Sequence, residues 1–151
     1  MDLILWRHAE ACDGDGDDLA RTLTARGERQ AARMAAWLNQ QLPATTRILV
    51  SPAQRTQQTA AALERRFKIV DALSPGADPQ QLLAAARWPD AKEPVLVVGH
   101  QPTLGLVASL LIAGEAQPWA VKKGAAWWLR RRDRAGDEQT VLVAVRGPDD
   151  H

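Results

Sequence analysis

Three short apolar runs constrain this chain most: Leu3-Ile4-Leu5-Trp6, Ile48-Leu49-Val50 and Val95-Leu96-Val97-Val98. Each gives way at once to polar or turn residues, namely Arg7-His8-Ala9-Glu10, Ser51-Pro52-Ala53-Gln54-Arg55 and Gly99-His100-Gln101-Pro102. Between them lie segments whose apolar residues recur with helical period. Strand-like runs alternating with helical segments predict a mostly parallel sheet with helices on both faces. In open α/β sheets the ligand crevice lies outside the carboxyl ends of the strands. The three exits are therefore expected to converge on one pocket holding two arginines and two histidines, which suits a phosphoryl group.

The pattern supplies the rest of the outline. Residues 2–6 read as the first strand. Thr24 is a good N-cap for a helix with Ala31, Met34, Ala35, Leu38 and Leu42 on one stripe, stopping before Pro43. Residues 47–50 make the second strand. Ser51 then reads as an N-cap and Pro52 as a first-turn proline, opening a helix with Ala60, Leu63 and Phe67 inward. A further helix is expected over about 80–88, packing Leu82, Leu83 and Ala86. Strand 95–98 leads into a helix carrying Leu104, Val107, Ala108 and Leu111, which Gly114 ends. Segments near 125–131 and 140–145 read as two strands of a hairpin. No repeat, linker or low-complexity tract divides the chain, so one domain over residues 1–151 is expected.

Composition excludes several classes. A net charge of +1 argues against nucleic acid as an obligatory partner, because non-specific affinity for DNA needs a concentrated cationic face. The one dense basic run, Arg130-Arg131-Arg132-Asp133-Arg134, reads as a solvated turn between strands, and Trp127-Trp128 beside it as core and sheet packing. Cys12 is the only cysteine, so no intramolecular disulfide forms and a reducing cytoplasm is expected. It does not read as a nucleophile either, since a cysteine phosphatase loop wants an arginine six positions on, where this chain has Asp18. No signal peptide is visible, and nothing approaches the roughly 20 apolar residues of a membrane span.

Metal chemistry finds no support in the spacing. The acidic stretch Asp13-Gly14-Asp15-Gly16-Asp17-Asp18 fails a calcium-loop register, with Asp18 where glycine belongs and Thr24 where glutamate belongs. It reads as a flexible, hydrated loop. His8 and His100 are far apart in sequence and the lone cysteine offers no paired zinc ligand. Neither a Walker loop nor a dinucleotide-binding glycine pattern occurs. No metal or cofactor is expected.

The remaining Arg/His constellation has a coherent chemistry. A neutral imidazole can attack phosphorus in line and give a phosphohistidine that water later hydrolyses. Fixed cations beside the phosphoryl oxygens stabilise the charge spread over them in the transition state, and arginine suits that task through its planar fork of donors. In a regular strand Arg7 and His8 would point to opposite faces, so the first strand is expected to end near Trp6. Arg55 belongs in the first turn of its helix, where the dipole and free N–H groups favour an anion.

These residues resemble a known family. Arg7-His8-Ala9-Glu10-Ala11, Leu23-Thr24 with Gly27, Val50-Ser51-Pro52 with Arg55 and Thr59, and Val98-Gly99-His100 are together similar to the histidine phosphatase superfamily, and most of all to its short SixA-type phosphohistidine phosphatases. The resemblance runs from residue 2 to about residue 113. It implies a three-layer α/β/α sandwich of phosphoglycerate mutase-like architecture, no metal, His8 as nucleophile, and Arg7, Arg55 and His100 holding the phosphoryl group, with Arg21 lining the same site. It also implies a phosphohistidine-bearing protein, such as a phosphotransfer domain, as substrate. A small-molecule phosphomonoesterase and a phosphate-binding regulatory module without turnover are the alternatives. Two departures stand out. Ala9 replaces the glycine that follows the Arg-His pair in the wider superfamily. The segment that carries a proton donor in larger relatives is short here, and none of its carboxylates, Asp71, Asp78, Asp90 and Glu93, is assignable as an acid from sequence.

Overall fold

In the computed structural model, residues 1–150 are described apart from Ala135. Six strands form one sheet: β1 (Asp2–Arg7), β2 (Arg47–Val50), β3 (Lys68–Ile69), β4 (Val95–Gly99), β5 (Ala126–Arg134) and β6 (Asp137–Arg146), in the spatial order β3-β2-β4-β1-β5-β6. The first four in that order run parallel, and β5 and β6 complete the sheet as an antiparallel hairpin on β1.

Side-chain alternation along the strands builds two cores. Leu3 and Leu5 of β1 and Val95 and Val97 of β4 face a layer with Leu82, Leu104 and Val107. Ile4, Trp6, Leu96 and Val98 face the other, with Met34, Leu38 and Ala60. Helices α3 (Pro79–Ala85) and α4 (Thr103–Ala113) thus cover one face, and α1 (Ala25–Gln41) and α2 (Gln54–Ala61) the other. This is the three-layer sandwich with a mostly parallel sheet that the sequence implied. Burial on both faces explains why β1 and β4 read as unbroken apolar runs. Among the described residues no helix is long and apolar enough to cross a membrane.

Local chemistry sets the helix boundaries. Thr24 caps α1 by accepting from the Gly27 N–H at 2.9 Å, and the expected stripe is buried, with Leu42 the residue that ends the helix. Asp78 and Gln81 form a reciprocal capping box on α3. Gly114, at φ +82°, ends α4 as expected.

Three expectations need correction, and one strand has no counterpart in the sequence pattern. The second helix begins at Gln54 with Ala53 as its cap, not Ser51, whose hydroxyl is engaged elsewhere. It ends at Ala61, ahead of a left-handed Glu64 at φ +54°, so Phe67 lies beyond it. The two-residue β3 is too short to leave a pattern. The basic run is strand, not turn: Arg130 grips both carboxylate oxygens of Asp2 at 2.8 and 3.0 Å, and Arg131 pairs with Glu138. Charged side chains on an outer hairpin find cross-strand partners, and local composition does not separate such a strand from a solvated turn. Trp128 packs as expected, 7% exposed, with its indole N–H donating to Asp2 at 3.1 Å and Trp37 edge-on at 6.4 Å.

Candidate active site

Register brings the candidate residues together. Arg7 pairs with Gly99 and Val50 with Val98, so the chain leaves β1, β2 and β4 at one level of the sheet. The ladder continues one residue further, with His8 N–H donating to Gly99 O at 3.2 Å and Ser51 N–H to Val98 O at 3.1 Å. His8 and His100 then stand side by side, ring centroids 5.4 Å apart. The first strand does not stop at Trp6: it runs through Arg7, whose Nη1 donates to Val121 O at 2.9 Å. The length of the arginine, rather than a break in the strand, lets its charge act on both histidines.

His8 is buried, and its Nδ1 lies 2.7 Å from Ala9 O. A carbonyl only accepts, so Nδ1 carries the proton and Nε2 keeps its lone pair. Burial, with the charges of Arg55, Arg7 and Arg21 and against the Ala9 hydrogen bond, pushes the His8 pKa down to about 4. The turn after β1 is pinned from two helices. Ala9 N–H donates to Thr59 Oγ1 at 3.1 Å, and Glu10 N–H to Gln30 Oε1 at 2.9 Å. Gly27 is required here because a Cβ would stand 2.0 Å from Glu10 O.

His100 is buried against two partners. Its Nδ1 lies 3.4 Å from Arg55 Nη2, and its Nε2 2.7 Å from Ser51 Oγ. Guanidinium only donates, which assigns Nδ1 as acceptor and Nε2–H as donor to Ser51. Burial and then the Arg55 charge lower its pKa to about 3. Arg55, the second residue of α2 and 4% exposed, donates Nη1 to Asp18 O at 2.7 Å and Nη2 to Asp18 Oδ2 at 3.2 Å. Arg21 joins from the rim, bonding Cys12 O at 2.7 Å and Asp18 Oδ1 at 3.2 Å. The Nε atoms of Arg7 and Arg55 are buried without a hydrogen-bond partner among the described residues. Burial and the nearby Arg55 charge lower the pKa of Arg7. Two neutral imidazoles beside three guanidinium groups, with donors left over, form a site built for an anion.

All five candidates, Arg7, His8, Arg21, Arg55 and His100, therefore meet at one place. Three contributors were not identified as such from sequence. The sequence pattern marks Ser51 as a helix cap and Asp18 as part of a hydrated loop, and nothing local marks either one's partner. Thr59 stands in a motif, but its bond to the Ala9 N–H spans 50 positions and leaves no local sign. Among the described residues no group of three or more His, Cys, Asp or Glu is placed to hold a metal ion.

The depressed imidazoles carry a pH signature. NMR titration of the ring Cε1–H signals is expected to place His8 near pH 4 and His100 near pH 3 instead of the usual 6.5. Both rings bind protons more readily in the unfolded chain. Stability is therefore full above pH 6.5 and falls by about 1.4 kcal/mol per pH unit for each histidine as pH drops toward those values. Midpoints at or above pH 6 in the free protein would contradict this picture.

The chain is also similar to known proteins. The profile of the histidine phosphatase superfamily (branch 1) matches residues 3–76. The chain is 30% identical over 126 residues to phosphohistidine phosphatase SixA of Escherichia coli K12, spanning 78% of this chain and 78% of SixA. It is 30% identical over 126 residues to the SixA homolog of Haemophilus influenzae, spanning 74% and 77% of the two chains. A Nakamurella multipartitia protein assigned as SixA superposes with a TM-score of 0.81 at 29% identity, over 99% of this chain and 96% of that one. The protein histidine phosphatase SixA complexed with tungstate superposes at 0.76 with 26% identity, over 98% and 97%. On sequence identity and superposition together, the chain belongs to the histidine phosphatase superfamily, in its SixA-like group.

Proposed function

We propose that this protein hydrolyses phosphohistidine on a partner protein, such as a phosphotransfer domain, through a phosphoryl intermediate on His8. The observation that carries the reading is the His8 Nδ1–H bond to Ala9 O. It leaves Nε2 free to attack phosphorus as the substrate's P–N bond breaks, and the electron pair returns to the leaving imidazole. That imidazole departs neutral when its proton already sits on the other ring nitrogen. His8 leaves in the same way in the second step, when water attacks phospho-His8 and passes its proton to the phosphate product. Arg7 and Arg55 meet the phosphoryl oxygens with the N–H groups that have no protein acceptor. His100, fixed through Nε2 on Ser51, faces them with Nδ1, and a phosphoryl dianion there favours its protonated, donating form. A cytoplasmic setting is part of this reading, supported by a free, exposed Cys12.

The choice of substrate rests on proton supply. An alkoxide leaving from a phosphoester usually needs a positioned acid worth about 10²–10⁴-fold. Here Asp78 is committed to the cap of α3. Asp18, bonded directly to Arg55, is held below the usual carboxylate range by hydrogen bonds from Arg21 and then Arg55, so it stands as an anion and not as an acid. A phosphohistidine already protonated on its other ring nitrogen has no such requirement. The test compares kcat/KM for a phosphohistidine-bearing phosphotransfer domain with that for a panel of sugar phosphates in one buffer. A preference of tenfold or more for phosphohistidine is expected, whereas a tenfold preference for a sugar phosphate would overturn the assignment and make the protein a small-molecule phosphatase.

A further inference from the structure

We propose that Asp18 is a positioning residue which, by closing one edge of the Arg55 guanidinium, selects the edge that Arg55 turns toward the phosphoryl group; this rests on the reading of the site given above. A guanidinium offers two edges for paired hydrogen bonding, an end edge of Nη1 and Nη2 and a side edge of Nε and Nη2. One residue takes the whole end edge: Asp18 accepts from Nη1 with its main-chain oxygen at 2.7 Å and from Nη2 with Oδ2 at 3.2 Å. On the side edge, Nε is buried without a partner, and the second Nη2 hydrogen is held only by the long 3.4 Å bond to His100 Nδ1, which protonation of His100 beside a phosphoryl dianion releases. It is thus the Nε/Nη2 edge, on the histidine side, that remains for two phosphoryl oxygens.

The clamp is itself anchored. The Asp18 carboxylate is held from its other oxygen by Arg21 Nη1 at 3.2 Å, and Arg21 is tied through Nε to Cys12 O at 2.7 Å. Asp17 caps the short 3₁₀ turn Asp18–Ala20 by accepting from the Leu19 N–H at 3.1 Å, which sets the direction of the Asp18 carbonyl. Burial is unequal along this chain: the Arg55 side chain is 5% exposed and that of Asp18 55%. An exposed anion therefore reaches in to a buried cation that has no other carboxylate partner among the described residues, and that stands close enough to Arg7 for the two charges to repel. Fixing a planar fork in advance matters for transition-state stabilisation, since donors already in place need no reorganisation as charge develops.

The test is a double-mutant cycle with a control from the same loop. Asp15→Asn removes the same charge from an exposed residue that has no hydrogen bond to any described residue, and it is expected to stay within twofold of the parent. Asp18→Asn is expected to lower kcat about tenfold or more with little change in KM, and to weaken tungstate affinity measured by calorimetry to a similar degree. Arg55→Lys has no edges to select, so adding Asp18→Asn to it should cost less than twofold in either readout. An Asp18→Asn protein with parental kcat and tungstate affinity would overturn the proposal. So would faster turnover, which would mean that the carboxylate competes with substrate, or an undiminished loss in the Arg55→Lys background. Tungstate binding does not depend on the substrate assignment. If phospho-His8 never forms yet the cycle still shows coupling, the functional reading fails and the positioning role stands.

Discussion

His8→Ala is expected to lose turnover on the order of 10⁴-fold or more, the scale associated with removing a covalent nucleophile, together with the phosphoryl adduct. The His8 imidazole has a lone pair that its hydrogen bonding fixes on Nε2 and that no described residue occupies: Ala9 O holds Nδ1–H at 2.7 Å, and burial keeps the ring unprotonated at neutral pH. His100 is no substitute, because its ring nitrogens are engaged by Ser51 and Arg55. The measurement is to quench the enzyme during turnover and follow the protein-bound phosphoryl group. An acid-labile, alkali-stable adduct on the peptide containing His8, absent from His8→Ala, is expected. Full activity in that variant, or an adduct mapped to His100, would sink the mechanism. Unchanged thermal unfolding and retained tungstate binding separate loss of chemistry from loss of fold.

Arg55→Ala and His100→Ala should each lower kcat by roughly 10²–10³-fold, the usual scale for one preorganised stabiliser of transition-state charge. Arg55→Ala belongs at the upper end. It removes two donors from the phosphoryl side and also leaves the Asp18 carboxylate at the site with Arg21 as its remaining partner. His100→Ala strips Ser51 Oγ of its imidazole partner and Arg55 of one contact, so part of its cost arises through Arg55. Because the two residues touch, the double variant is expected to lose less than the product of the single losses. Single-turnover kinetics on a phosphohistidine protein read this directly. A normal Arg55→Ala beside an inactive Asp15→Asn would show that the site had been wrongly placed.

Much of the framework was legible because its signals are local. A helical stripe such as Ala31, Met34, Ala35 and Leu38 marks the face it buries, and Thr24 and Gly114 mark where α1 starts and α4 ends. The unbroken runs of β1 and β4 report burial on both faces. Misreadings fell where one residue type serves two purposes. A serine before a proline looks like a cap whether or not a histidine bonds its hydroxyl, and an arginine run looks like a turn whether or not Asp2 and Glu138 lie across from it.

The sequence by itself determined which side chains stand at the strand exits, since residue type and apolar period place Arg7, His8 and His100 just where buried strands must end, and Arg55 shortly after the exit of β2. Only the tertiary structure decided how they bond. Arg55 meets Asp18 from 37 positions away and His100 meets Ser51 from 49, contacts made by strand register and loop closure that no local pattern encodes. The tautomer of His100 and the open edge of Arg55 follow from those partners, and the anchoring of Arg7 from Val121, 114 positions away. Periodicity tells a residue which face to bury, whereas hydrogen bonding across loops depends on where separate segments come to rest against one another.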